Sequence, residues 1–214
     1  MTKQQDNLIL PKDLYDCENK LKMSLKSFLE VEDSKHIQVN ILFEGLKLQP
    51  LVYRLYKELQ IAKIESIILF SDFGNAALAK RDYPDLSDLI YTFKDLVTTE
   101  IKSVEDKLFI VCSPQPYEFE DFENLCNSFN NRILMINGKL EETSIGVGSV
   151  GRERRVRFIK SWNHAFFIQP FTKGALLYEY PSEWALFSYS NEGYIYLDNF
   201  KSKPNKDEIN IALI

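Results

Sequence analysis

The sequence predicts an α/β fold, in which a mainly parallel sheet is flanked by helices and extended by C-terminal antiparallel strands. Short apolar runs such as "SIILFSD" (66–72) alternate with segments whose apolar residues recur every three or four positions. Strands that alternate with helices form parallel sheets through right-handed crossovers. Beyond residue 163, short aromatic segments follow one another with turn residues between them, a pattern typical of antiparallel hairpins.

A loose tail over residues 1–10 is predicted to precede a single domain over 11–212. Pro11 suits the first turn of a helix, and an apolar stripe from Leu14 to Phe28 continues that helix. Further helices are predicted at 50–62, 75–83 and 118–129, and buried or alternating strands at 36–45, 66–72, 107–116 and 132–138. Residues 84–105 show only weak helical character.

Four aromatic strands are predicted at 164–171, 174–181, 183–190 and 193–200, followed by a linker and a closing helical turn over 201–214. Their aromatic residues alternate as the two faces of a sheet do, so most are expected in the core or in cross-strand pairs. A face that stayed exposed would be a surface for binding another protein.

Composition excludes several classes of function. The net charge of −5 argues against tight nucleic-acid binding, which depends on cations that neutralise phosphates. Three scattered cysteines without a C-x-x-C pair, and only two histidines, argue against a zinc site. We therefore predict reduced thiols and neither metal nor cofactor. No apolar stretch matches a signal peptide or a transmembrane segment.

The stretch "IGVGSVGRERRVRFIKSW" (145–162) places Gly146, Gly148 and Gly151 in a G-x-G-x-x-G pattern before a basic helix. A dinucleotide fingerprint needs a strand directly before the glycines and an acidic residue about 20 positions later. Here the preceding strand ends at Gly138, and Gln169 stands at the end of the next one. The loop is therefore predicted to be a turn that leads to a helix N-terminus, where anions are favoured.

A helical wheel of the basic helix predicts which of its cations are buried. The apolar arc comprises Val156, Phe158, Ile159 and Trp162, whereas Arg154, Arg157 and Lys160 point away from it. Arg152 and Arg155 fall within the arc and are expected to be at least half buried. A buried guanidinium needs a carboxylate or an anionic ligand. Two alternatives follow: a salt bridge to Asp72, Glu141 or Glu142, or a ligand site.

Polar residues follow three predicted parallel strands, at Asp72 and Gly74, at Gln115, and at Asn137. Ligands of open parallel sheets bind beyond the carboxyl ends of the strands, so these residues could form a site together with Arg152. Alternatively, they cap turns and bind backbone groups, as such residues usually do. The sequence contains neither a G-x-S-x-G elbow nor a phosphate-binding P-loop.

Several stretches in order resemble an uncharacterised domain family of cyanobacteria and plastids. These are "FSDFGNAALAKRDY", "FIVCSPQPYEFEDFENL", "RILMINGKLEETSIGVGSVGRERRVRFIKSWNHAFFIQPF" and "GALLYEYPSEWALF". The Asp-Gly turn of the family is matched by Asp72 and Gly74 with Phe73 inserted, its Pro-Gln by Pro114 and Gln115, and its Gly-Arg by Gly151 and Arg152. Plant members include a low photosystem II accumulation protein, and the domain is similar to the C-terminal region of a plastid adenylate kinase.

The resemblance implies a protein of the cyanobacterial cytosol or the plastid stroma, or one held at the thylakoid surface by a partner. It implies a role in supporting photosynthetic complexes and no known reaction. The first hypothesis is therefore a non-enzymatic accessory protein that binds photosystem assembly components. The resemblance carries over no kinase activity, because the chain lacks the phosphate-binding loop. The alternative hypothesis is a small-molecule or phosphate-binding protein, with or without catalysis. Its site would combine the Gly146–Gly151 loop, Arg152 and Arg155 with the strand-end residues Asp72, Gln115 and Asn137.

Overall fold

A computed structural model describes residues 8–98, 104–140 and 149–214. The helices are α1 (Leu14–Val31), α2 (Leu48–Ile61), α3 (Phe73–Asp82), α4 (Phe93–Thr98), α5 (Phe119–Ser128), α6 (Ser149–Lys160) and α7 (Lys206–Ala212). The strands are β1 (His36–Ile41), β2 (Ser66–Phe70), β3 (Ile90–Thr92), β4 (Leu108–Cys112), β5 (Ile133–Ile136), β6 (Asn163–Phe171), β7 (Gly174–Glu179), β8 (Trp184–Ser190) and β9 (Gly193–Phe200). Short 3-10 helices cover Pro84–Leu89 and Pro116–Glu118.

The strands form a nine-stranded sheet in the order β3-β2-β4-β5-β1-β6-β7-β8-β9. The pairs among β1 to β5 are parallel, and β6 to β9 form an antiparallel meander. The predicted fold class is therefore confirmed: a mainly parallel sheet with helices is extended by antiparallel C-terminal strands.

One compact unit comprises Asp33–Val39 and Gly45–Asn163. Side chains of its parallel strands alternate between two apolar layers, since successive residues of a strand point to opposite faces. Leu69 and its same-face neighbours pack with α4 and α5. Ile68 and Phe70 lie with residues of α2 and α3 around a shallow apolar depression. Helices therefore cover both faces of this parallel sheet, as continuous apolar strands require.

Among the residues that the structure describes, the other compact unit comprises 8–32, Asn40–Glu44 and His164–Ile214. Its core cluster contains Phe167, Leu176 and Trp184. The buried Ser24 hydroxyl of α1 donates to the Ala165 carbonyl at 2.6 Å and accepts from the Tyr180 amide at 2.7 Å. These two hydrogen bonds connect α1 to the meander. They also satisfy the Ser24 hydroxyl, whose burial without hydrogen-bond partners would cost free energy.

Two details differ from the sequence-based expectation. Residues 90–92 form the strand β3 rather than part of a weak helix. A three-residue strand is too short to display a period of two, so its pattern was not recognisable. The basic helix α6 begins at Ser149, so Gly151 lies in its first turn and not in front of it.

Candidate functional site

The strand-end residues of the parallel sheet lie along a single edge, which we call the carboxyl edge and define as residues 71–74, 113–118 and 137–139. These loops follow β2, β4 and β5, which are hydrogen-bonded neighbours in parallel register. Because the strands run in one direction, their carboxyl ends meet at the same side of the sheet. The three segments therefore share one edge of the sheet.

The loops after β4 and β5 are clasped together by hydrogen bonds. The Ser113 amide donates to the Ile136 carbonyl at 2.8 Å, and its hydroxyl donates to the Asn137 carbonyl at 3.1 Å. The Lys139 amide donates to the Pro114 carbonyl at 3.0 Å. These three hydrogen bonds join the two loops and satisfy several of their backbone polar groups, which holds this part of the edge in place.

Left-handed backbone conformations allow this clasp. Ser113 has a φ of 46° and Asn137 a φ of 51°, a region that is unfavourable for most L-residues and tolerated by asparagine. The Asn137 amide also donates to the Val39 carbonyl at 2.9 Å. The tight reversal after β5 therefore fixes Asn137 through backbone contacts on two neighbouring segments.

Asp72 and Gln115 act as caps at the carboxyl edge. The Asp72 carboxylate accepts from the Asn75 amide at 2.8 Å and from the Asn75 side chain at 2.7 Å, and these hydrogen bonds lower the pKa of Asp72. Gln115 forms a capping box with Glu118 and donates to the Ser113 carbonyl at 2.7 Å. This arrangement matches the second alternative, in which such residues cap turns and bind backbone groups.

The capping carboxylate of Asp72 also explains why residue 74 is a glycine. A Cβ at this position would lie 3.1 Å from the Asp72 carboxylate oxygen, which is tighter than ordinary contact. The Asp-Phe-Gly turn is therefore compact because glycine leaves room for the capping carboxylate.

Two exposed aromatic residues stand on these loops, and the sequence analysis did not single them out. Phe73 begins α3 with 67% of its surface exposed, and Tyr117 follows β4 with 83% exposed. The helices α3 and α5 pack on opposite faces of the sheet, so the neighbouring ends of β2 and β4 form the topological switch point where such sheets bind ligands. The detectable signal was an aromatic residue one or two positions after a capping residue, Phe73 after Asp72 and Tyr117 after Gln115 and Pro116, where a turn is normally polar.

Arg154 of the basic helix α6 is exposed, as predicted, and forms an ion pair that the sequence did not indicate. The Arg154 Nε donates to Glu123 at 2.9 Å, and a second guanidinium nitrogen contacts the other carboxylate oxygen. Glu123 is 7% exposed, whereas the Arg154 side chain is 59% exposed. Its partner, Glu123 of α5, was not among the carboxylates expected.

The predicted burial of α6 was wrong at two positions. Arg152 is exposed, and so is Val156, with 44% of its surface accessible. Arg155 is half-buried as expected, and its guanidinium carbon lies 4.5 Å from the centre of the Phe119 ring. The buried face of α6 is narrower than the helical wheel predicted. Phe158, Ile159 and Trp162 pack against the core, and Arg152 lies beyond the edge of this face.

Several predicted residues lie outside the described part of the chain, namely Gly146, Gly148, Glu141 and Glu142. Arg157 and Lys160 are exposed as predicted. Asp72, the third carboxylate expected to pair with a buried arginine, is engaged at the N-terminus of α3. The structure thus brings together Ser113, Gln115 and Asn137, while Asp72 is held by its own helix.

Burial makes the three cysteines and His164 poorly suited to acid–base or nucleophilic chemistry. Burial lowers the pKa of His164 to about 3 and raises the pKa of the Cys17 and Cys126 thiols to about 12. Burial also raises the pKa of Cys112. Thiols held protonated in this way are poor nucleophiles.

Within residues 8–98, 104–140 and 149–214, no three His, Cys, Asp or Glu side chains cluster in a way that could hold a metal ion. In the same ranges, none of the helices has the length and apolarity needed to cross a membrane.

A search of curated proteins returns no match to this chain. The model of a domain family matches residues 11–210, nearly the whole sequence. The matched range includes the parallel strands, the carboxyl edge, α6 and the meander. The chain therefore belongs to the family described as a domain of unknown function, DUF1995.

Proposed function

We propose that this protein is a non-enzymatic accessory factor of a photosynthetic organism, which binds protein partners through the carboxyl edge. The observation that carries the proposal is the exposure of Phe73 and Tyr117 on loops fastened by caps and hydrogen bonds. Exposed aromatic side chains on a rigid support are typical anchors of protein interfaces, because they bury a large area at little entropic cost.

The chemistry of the edge favours binding over catalysis. Asp72 and Gln115 already accept and donate hydrogen bonds within their own turns, so their polar groups serve the loops. The cysteine thiols are kept protonated by burial. What the edge offers to a partner is therefore mainly aromatic surface.

The resemblance to plant low photosystem II accumulation proteins supports a role in accumulation or assembly of a photosystem. It also supports a location in the cyanobacterial cytosol or plastid stroma, with partners at the thylakoid surface. The similarity to the C-terminal region of a plastid adenylate kinase adds no activity to this proposal, because the P-loop is missing from the sequence.

The test is recovery of photosystem subunits from a detergent-treated thylakoid extract on the immobilised protein. The variants Phe73→Ser and Tyr117→Ser are compared with Tyr15→Ser, whose ring on α1 is also strongly exposed at 74%. We expect recovery to fall about tenfold or more in each edge variant, as for interface anchors, and to be unchanged in the control. Equal recovery by all four proteins would exclude the carboxyl edge as the binding surface.

A second candidate function is binding of an anionic small molecule beside α6. The observation that favours it is Arg152, an exposed cation in the first turn of a helix. Cations there oppose the helix dipole, whereas anions are attracted. An anionic ligand would interact favourably with both the arginine and the helix end.

Thermal unfolding in the presence of phosphate, sulfate or nucleotides tests this candidate. A ligand at about 100 times its dissociation constant adds about 2.7 kcal/mol to stability. The stabilisation should vanish in Arg152→Ala and persist in Arg157→Ala, a matched exposed arginine of the same helix. Identical unfolding with and without every anion would rule the candidate out.

A further inference from the structure

The strand β9 is an open edge of the antiparallel sheet. It is the last strand in the sheet order, and among the residues that the structure describes no strand pairs with its outer side. It runs for eight residues, Gly193–Phe200. Proteins usually protect such an edge with lysine, proline, a bulge or a very short strand. β9 contains neither lysine nor proline, and its bulge lies towards its C-terminal end, at Leu197.

The middle of β9 is apolar and exposed. Tyr194, Ile195, Tyr196 and Leu197 are consecutive, and each exposes between 39% and 48% of its surface. The ring centres of Tyr194 and Tyr189 of β8 are 4.9 Å apart, and Tyr189 is also exposed. An apolar strip on an unpaired edge is a template for adding another strand.

The charges that flank this strip are self-complementary. Glu192 precedes the strand, and Lys201 and Lys203 follow it. In an antiparallel pair of two β9 strands, the acidic start of one copy lies near the basic end of the other. A parallel pair would place like charges side by side, which is destabilising.

We propose that β9 pairs antiparallel with β9 of a second copy of this chain, which makes the sheet continuous across a two-fold axis. Overlaying the two Tyr194–Leu197 strips pairs Tyr194 with Leu197 and Ile195 with Tyr196. The same register sets Asp198 opposite Gly193, where no side chain competes, and brings Glu192 diagonally next to Lys201. The bulge in the pairing with β8 falls at Leu197, inside the strip, so the regular part of the new ladder is the central pairing of Ile195 with Tyr196.

The proposal does not depend on the proposed function, since it concerns another surface. It is tested by sedimentation velocity of the full chain over roughly a hundredfold range of micromolar concentrations, where a dimer shows itself by mass action. Ile195→Lys, which places a charge on the edge, is expected to leave a monomer throughout the range. Ile61→Lys, an equally drastic change on the exposed face of α2, is expected to sediment like the wild type, and circular dichroism confirms that both variants are folded.

A charge exchange tests the antiparallel register. Glu192→Lys alone and Lys201→Glu alone each juxtapose like charges and are expected to raise the dimer dissociation constant about fivefold. The double variant restores opposite charges and should return the constant to the wild-type value. Three results would overturn the proposal: a wild-type monomer at every concentration, a dimer indifferent to Ile195→Lys, or a double variant at least as weak as the single ones.

Discussion

Arg154 shows how a largely exposed side chain stabilises a nearly buried charge. Its guanidinium binds both oxygens of Glu123, which is 7% exposed. An isolated carboxylate at such a position would lose much of its hydration without compensation. The ion pair thus explains why α5 tolerates a glutamate beside its apolar residues.

Arg154→Ala should lower the free energy of unfolding measurably, because the nearly buried Glu123 loses its ion-pair partner and only water at the exposed arginine position replaces it. Urea denaturation measures the difference. Arg157→Ala, exposed on the same helix, should change stability by less than about 0.5 kcal/mol. Equal effects of the two substitutions would show that the Glu123 pair contributes nothing specific.

His164 gives the protein a pH-dependent stability. Its ring lies among Phe167, Tyr178 and Trp184, with the Trp184 ring centre 4.8 Å away. Burial lowers the pKa of His164 in the folded state to about 3, from an ordinary value of 6.5. Below pH 6.5 the unfolded chain therefore binds a proton that the folded chain does not, so stability falls as the pH decreases towards 3.

Replacement of His164 by phenylalanine should remove this part of the acid sensitivity. At pH 5 the wild type is expected to have lost about 1–2 kcal/mol relative to pH 7.5 beyond what the variant loses. Denaturant unfolding of both proteins between the two pH values measures this difference in stability. The contributions of the carboxylates and of His36 cancel, because both proteins contain the same groups. Parallel pH profiles would mean that His164 is protonated equally in both states.

At the level of the element, the loops after β4 and β5 depend on backbone conformations that side chains disfavour. Asn137 has a positive φ and yet donates and accepts backbone hydrogen bonds. Glycine reaches this region without strain, whereas a Cβ costs about 1 kcal/mol there. The order of preference between alanine and glycine is therefore reversed relative to a helix.

Asn137→Gly is accordingly expected to be more stable than Asn137→Ala by about 1 kcal/mol. The matched pair Asn124→Ala and Asn124→Gly, on the exposed side of α5, should show the opposite order by about the same amount. Chemical denaturation of the four variants measures the free energies of unfolding that this comparison needs. An alanine variant at 137 that is the more stable one would contradict the left-handed conformation.

At the level of the whole molecule, the charge of the protein argues against nucleic-acid binding. The net charge is −5, and the charge of one arginine of α6, Arg154, is neutralised by its ion pair with Glu123. The remaining exposed cations of that helix, Arg152, Arg157 and Lys160, are interspersed with Glu153 and Val156. Such a surface neutralises few phosphates.

Binding to a mixed-sequence DNA or RNA duplex at physiological salt is expected to be weaker than about 100 µM, the weak end of non-specific binding. Fluorescence anisotropy with a labelled duplex measures it. Micromolar affinity with a steep salt dependence, abolished by Arg152→Glu and Lys160→Glu, would instead identify α6 as a nucleic-acid surface.

The fold was largely predictable, because continuous apolar strands and helical stripes carry periods that a sequence displays directly. Eight of the nine strands lie in predicted segments. The exception is β3, whose three residues are too few to show a period. Of the candidate site, the strand-end residues were predictable from the rule that parallel strands present their carboxyl ends together.

What the sequence by itself determined is the alternation of strands and helices, the meander and the position of the polar strand ends. All of these follow from local periodicity and turn chemistry. Only the tertiary structure decided that Arg154 pairs with Glu123, that Arg152 is exposed, and that Phe73 and Tyr117 project from the carboxyl edge. These facts depend on which residues of distant segments meet, and a helical wheel contains no information about the neighbour that a helix packs against. The orientation of α6 on its sheet sets which arginine reaches a carboxylate, and that orientation follows from packing with residues 30 or more positions away along the chain.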